Sequence, residues 1–277
     1  MHGPTRIGSG SRASASSGSP LIGPGEPPAF EVINAEGNAA LLLVCDHASP
    51  RIPEALDQLG LQPQALGLHI ASDIGAADLT RRLAVRLDAP AVLAGYSRLV
   101  IDCNRQPGDP QSILTASDGI IIPGNKTLRP EEQEARADAF FWPYHHAIEH
   151  LFARLRRRRP EPLLFSVHTF TPTLGGEDRF WDAGVLWNRD PRMAVPLIAM
   201  LRQVEGLAIG DNEPYAGTAL AYTLNLHAGT AGLAHAAIEV RQDHCETPEQ
   251  LDRWAEILGN ALGRLLDIGN LHRIELF

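Results

Sequence analysis

The chain alternates short, wholly apolar runs with longer stretches of helical period. Leu41-Leu42-Leu43-Val44-Cys45 is the first run, the mark of a strand buried on both faces. Similar runs stand at Ala91–Ala94, Leu99–Ile101, Leu163–Val167, Val185–Trp187 and Ala236–Val240. Between them, Ala76 to Leu87 places Leu79, Leu83 and Leu87 on one stripe. Glu131 to Arg158 predicts a long helix with Leu151 and Leu155 inward and a kink at Pro143; Pro191 to Val204 predicts another. Thr247-Pro248-Glu249-Gln250 reads as a capping box with proline in the first turn, followed by a core-facing stripe of Leu251, Trp254, Leu258, Leu262 and Leu265. Buried strands alternating with helices predict an α/β fold, one domain over residues 29–277 with a mixed, mostly parallel central sheet flanked by helices. In such sheets ligands gather beyond the carboxyl ends of the strands.

Composition changes this picture at three points. Residues 1–28 hold six Gly, five Pro and six Ser and no apolar core-forming stretch, so they are expected to be disordered; they also lack a signal-peptide h-region. The three cysteines form no CxxC pair and no disulfide framework, which suits reduced thiols in a cytoplasmic protein. A net charge of −9, from 24 basic and 33 acidic residues, argues against nucleic acid as a partner, and no apolar run is long enough to span a membrane.

Candidate chemistry lies where apolar runs turn polar. The first run leads into Asp46-His47, and the fourth into His168-Thr169-Phe170. A single strand-end histidine is more often structural, but two at corresponding places, with carboxylates near, fit a catalytic zinc set of imidazoles, a carboxylate and an open water position. Asp73 and Glu54 both stand as the carboxylate, although the first also reads as a helix cap and the second as a solvated first-turn Glu. Asp46 ranks lower, because adjacent strand residues point to opposite faces. Glu239, in Ile238-Glu239-Val240-Arg241, is a charge ending an apolar run; it suits a general base, or else an ion pair with Arg241. Arg105 and Arg98 suit a substrate carboxylate or an oxyanion, or else the surface. His69 suits a supporting role, and of the adjacent His145 and His146 at most one can face a site on a helix. No GxSxG elbow, GxGxxG or phosphate-cradling loop occurs.

Asp46-His47-Ala48-Ser49, His69 to Ala76 (HIASDIGA), Ile101-Asp102-Cys103-Asn104-Arg105, His168 to Pro172, and Ile238 to Asp243, in this order, resemble the N-formylglutamate amidohydrolase family. Gly184 to Asp190 and Gly210 to Gly217 look like further family segments. The resemblance implies the fold of zinc-dependent carboxypeptidases and aspartoacylases, with His47 and His168 as zinc ligands, Glu239 as the catalytic glutamate and Asn104-Arg105 receiving a substrate carboxylate. The wider relatives carry a Glu three residues after the first histidine; here that place is Pro50, so the third ligand comes from elsewhere, Asp73 ahead of Glu54. Implied too is a place in histidine catabolism and hydrolysis of N-formyl-L-glutamate to formate and glutamate, with Arg98 helping to hold the oxyanion. Arg179, Asn188 or Arg241 is then left for a second carboxylate, and Tyr215 to close over the substrate. A zinc amidase for another N-acyl amino acid or small peptide, and a zinc- or carboxylate-binding protein without chemistry, are the other readings.

Overall fold

The computed structural model describes residues 20–215 and 221–277. Residues 1–19, most of the stretch expected to be disordered, lie outside these. Residues 20–28 are laid against the body: Leu21 and Ile22 pack on its core, and the Tyr96 hydroxyl donates to the Pro27 carbonyl at 2.7 Å.

Eleven strands are described: β1 Phe30–Ile33, β2 Leu41–Cys45, β3 Ala91–Ala94, β4 Ala116–Ser117, β5 Ile120–Ile121, β6 Leu163–Phe170, β7 Thr173–Leu174, β8 Glu177–Asp178, β9 Ala183–Leu186, β10 Ile209–Asp211 and β11 His235–Arg241. Seven of them form one sheet in the order β1-β3-β2-β6-β11-β9-β10; β4–β5 and β7–β8 are separate two-residue hairpins. β3, β2, β6 and β11 run parallel, β1 is antiparallel to β3, and β9 is antiparallel to β11 while parallel to β10. The α-helices among the described residues are α1 Pro63–Leu66, α2 Ala76–Arg86, α3 Pro130–Arg136, α4 Trp142–Arg156, α5 Ala194–Leu201, α6 Tyr222–His227 and α7 Pro248–Leu266.

Every residue of β2 and β6 is buried, because helices cover both faces of the sheet. Leu41, Leu43, Phe165, Val167 and Ile238 face α2, α5 and α7, whose Leu83, Leu201 and Leu258 share their core. Leu42, Val44, Leu164 and Ala237 face α4 and α6, against Tyr144, Ile148 and Leu224. The capping box forms as expected: Gln250 N donates to Thr247 Oγ1 at 3.2 Å, and Thr247 N to Gln250 Oε1 at 2.9 Å.

Two expectations are corrected. Leu99–Ile101 is no strand; Val100 N closes a turn onto Ser97 O, and the three side chains fill a third core under the loops with Tyr96, Phe140 and Phe141. A buried apolar run looks the same whether a sheet or a loop cluster covers it. The helix break attributed to Pro143 is a π-helical turn, Ala137–Phe141, between α3 and α4. Proline has no N–H to give and crowds the carbonyl four residues back, so the backbone widens just before it.

Candidate active site

The parallel strands bring their carboxyl-end polar residues to one level. In the β6–β11 register Glu239 pairs with His168 and Ala237 with Ser166, while Val44 of β2 pairs with Ser166 on the other side. Asp46 follows Val44 at the two-residue spacing of one face, and its Oδ2 lies 3.2 Å from His168 Nε2. β2 has ended at Cys45, so His47 is free to turn toward the same place. Asp73 arrives on the loop before α2, where its backbone N donates to His47 O at 3.0 Å. Gly75, which follows, has φ of 82°, and a Cβ there would lie 2.5 Å from that of Cys245; only glycine lets this loop press so close.

His47, Asp73 and His168 are all buried, and one donor atom from each lies within 4.8 Å of the other two. Asp73 Oδ2 is 3.3 Å from His47 Nδ1 and 2.8 Å from His168 Nδ1. Both rings are backed at their far nitrogen. His47 Nε2 lies 2.8 Å from Asp102 Oδ1, and His168 Nε2 faces Asp46. Carboxylates behind histidines fix the ring and its tautomer and make the near nitrogen a better ligand. Asp46 is itself held by the hydroxyls of Tyr144 at 2.8 Å, Thr223 at 2.7 Å and Ser166 at 3.2 Å. Two imidazoles and a carboxylate, converging and backed in this way, fit a divalent transition metal. Asp73 does not cap α2 with its side chain, which goes to the histidines instead.

The electrostatics follow from burial. Burial disfavours charge on His168, yet Asp46 and Asp73 outweigh it and hold the imidazole well above its ordinary value; His47 is raised by Asp102 and Asp73 against burial and Arg98. Asp73 is lowered by His47 and His168 despite its burial. Glu239 goes the other way, because burial pushes its carboxyl up to about 7. Its Oε2 is buried with no hydrogen-bond partner among the described residues.

A cavity of about 210 Å³ opens on this cluster and includes His47, Asp73, His168 and Glu239 in its wall. Of the other residues singled out in the sequence, Arg98, Asn104, Arg105, Tyr215 and His69 line it too. Arg98 donates to Asp102 Oδ2 at 2.6 Å and stands 3.6 Å from Asp73 Oδ1. Tyr215 is brought there by Gly184, whose missing side chain lets the Glu213 carbonyl lie where a Cβ would be; the last two residues of the Gly210–Gly217 segment lie outside the described residues. Arg179 lies over the Tyr215 and Phe170 rings, 4.8 and 5.6 Å from their centres.

Three candidates are elsewhere. Asn188 lies in a separate depression with Asn225 and His235, because β9 is antiparallel to β11 and leads the chain to the opposite end of the sheet. Arg241 is spent on Asp243, at 2.8 Å, and Asp182, at 3.4 Å, and pairs with neither Glu239 nor the cavity. Glu54 is exposed at the start of a 3₁₀ turn, so the cluster's carboxylate is Asp73. His145 bonds to His227 and to the Cys103 carbonyl, and His146 is exposed; neither lines the cavity. Of the supporting residues, Asp46 was weighed as a ligand and Asp102 stands in a segment that carries the resemblance, but neither was read as backing a histidine; Tyr144 and Thr223 had no signal of their own, and Ser166 showed only as a neighbour of His168.

The fold is that of a crystal structure of a gene product from Agrobacterium tumefaciens, 33% identical, with a TM-score of 0.86 over 89% of this chain and 98% of that one. It is shared with the N-formylglutamate amidohydrolase of Ralstonia eutropha at 17% identity, with a TM-score of 0.68 over 87% of this chain and 98% of that one. No curated protein matches the chain. The family profile of N-formylglutamate amidohydrolase matches residues 39–245, and the chain belongs to that family. Membership points to amide hydrolysis on a small-molecule substrate. No helix among the described residues is long and apolar enough to cross a membrane.

Proposed function

We propose that the protein is a zinc-dependent amidohydrolase that cleaves N-formyl-L-glutamate to formate and L-glutamate. The observation that carries this reading is Glu239: a buried carboxyl with an oxygen that has no partner among the described residues, registered beside His168 in the cavity wall. A group so placed is poised to accept and return a proton at neutral pH. His47, Asp73 and His168 hold the metal. When bound, zinc supplies Lewis acidity, polarising a carbonyl and lowering the pKa of water towards roughly 7.

Glu239 takes the proton from the attacking water and returns it to the departing nitrogen. Arg98, fixed by Asp102, sits beside His47 and Asp73 and offers an N–H to the oxygen that becomes negative. Asn104 and Arg105 receive one carboxylate of the substrate at the cavity wall. Arg179, stacked on Tyr215, reaches the second, and Tyr215 closes over the bound molecule.

Formate release from N-formyl-L-glutamate, measured with and without a chelator, tests the proposal. Turnover is expected, lost on chelation and restored by zinc. Glu239→Gln is expected to lose about 10²–10⁴-fold in kcat while still binding zinc. Near-normal turnover in that variant would remove Glu239 as the base. Zinc binding with no hydrolysis of any acyl amino acid would instead favour a binding protein.

A further inference from the structure

The cavity has two unlike ends. At its mouth stand the part-exposed polar side chains of His69, Arg98 and Arg105. Its floor is deep and, apart from the Ser166 hydroxyl, which Asp46 and His168 engage, apolar. Ala237 lies two residues before Glu239 on the same face of β11, with Leu186 of β9 opposite it across the strand pair. Leu224 of α6, and Ala221 just before that helix, complete this part of the wall. Leu186, Leu224 and Ala237 are only 3, 2 and 5% exposed, yet each forms part of the cavity wall, so the little surface they keep faces inward.

We propose that this floor is an acyl pocket and that the enzyme accepts N-acyl amino acids with short unbranched alkyl groups, acetyl and propionyl, as well as formyl. The inference rests on the hydrolytic reading above. The scissile amide has to reach Glu239, and Arg105 at the mouth, with Asn104, claims a carboxylate of the amino-acid portion. The acyl side of the amide is thereby left pointing to the floor. A formyl group presents only a hydrogen there and leaves the apolar walls without contact, whereas methyl and ethyl groups fill the space and shed water. The chemistry is unchanged: the C–N bond breaks, a C–O bond to water forms, and the leaving nitrogen receives the proton through Glu239. Ala237 sets the depth, since a larger side chain on that face of β11 projects into the pocket below the reacting carbonyl.

Two measurements on the full-length zinc-loaded protein test this. In the first, kcat/KM is compared for N-formyl-, N-acetyl-, N-propionyl- and N-benzoyl-L-glutamate. Acetyl and propionyl are expected within about tenfold of formyl, and benzoyl is excluded. Ala237→Val is expected to lower the propionyl-to-formyl ratio at least tenfold, and Leu224→Ala to raise it. In the second, formate, acetate, propionate and butyrate are titrated calorimetrically as product carboxylates. Affinity is expected to rise roughly fourfold from acetate to propionate in the parent, with no further gain for butyrate, and to be flat in Ala237→Val. A propionyl-to-formyl ratio unmoved by both variants, or propionate binding no tighter than formate, overturns the pocket. Should no amide turn over while the carboxylate series keeps its chain-length dependence, the hydrolytic reading fails and the pocket stands.

Discussion

Glu239 differs from the carboxylates around it because, among the described residues, nothing pairs with its second oxygen. Asp46 accepts from three hydroxyls, Asp102 from Arg98 and from Asn104 N at 2.8 Å, and Asp73 faces two imidazoles. Arg241, two residues on from Glu239, is committed to Asp182 and Asp243. At this scale the division of labour predicts that Asp102→Asn, which keeps the size and one acceptor but loses the charge behind His47, weakens zinc binding about 10–100-fold with the fold intact. Competition with a chromophoric chelator measures this, and an unchanged affinity would remove Asp102 from the metal's support. His47, His168 and Glu239 were legible in the sequence because a polar residue at the end of a buried apolar run needs an explanation. The supporting layer was not. Tyr144 sits on the helical stretch whose neighbouring histidines drew attention, and Thr223 reaches Asp46 across 177 residues, a distance no local pattern spans.

Helix α6 shows what an element can add to a site it does not contain. Its Thr223 holds Asp46, and Thr223 N donates to Asn104 Oδ1 at 3.0 Å, so α6 braces both the His168 support and the substrate-facing loop. Its far end is fastened to α4 through His227 Nε2 and His145 Nδ1, 2.9 Å apart in stacked rings. His145 Nε2 donates to the Cys103 carbonyl, so the pair shares one proton between its facing nitrogens and loses that contact when both rings are charged. Burial, then the neighbouring His145, lowers His227 to about 4, against Asp46, which raises it; burial lowers His145 as well. Unfolded His227 takes up its proton near its ordinary value of 6.5, so between there and about 4 the unfolded chain holds more protons and stability falls as pH falls. Allowing for partial exposure, about 1 kcal/mol is expected to be lost from this group between pH 7 and 5. Urea midpoints read it: His227→Gln is expected to show a shallower loss over that window, and an identical slope would sink the clamp. The long elements themselves were readable from period and caps, as α7 shows with its Thr247–Gln250 box. Strand direction was not. β9 reads like its parallel neighbours, and only its antiparallel pairing with β11 sends Asn188 to the wrong end of the sheet.

For the molecule as a whole, the arrangement concentrates charge where the fold is most closed. Four carboxylates, Asp46, Asp73, Asp102 and Glu239, are buried around two imidazoles and Arg98, in a chain that already carries a net charge of −9. Its mixed sheet was foreseeable because two-sided burial leaves continuous apolar runs; the convergence of this charge was not, since it depends on register between strands over a hundred residues apart. Such a cluster balances itself by protons on the histidines, which is why Asp46 and Asp73 raise His168. On the proposed reading a divalent ion replaces those protons, so zinc binding and proton release are linked and affinity rises with pH. Zinc at 100 times its dissociation constant stabilises the fold by about 2.7 kcal/mol, which for a chain of this size is a rise in Tm of roughly 5–10 °C. That shift is expected at pH 8, is expected to shrink at pH 6 at the same zinc concentration, and is expected to vanish in His168→Ala. Calorimetric scans with zinc and with chelator at both pH values decide it, because an ion held only by surface carboxylates would give a shift that neither the pH change nor the loss of His168 removes.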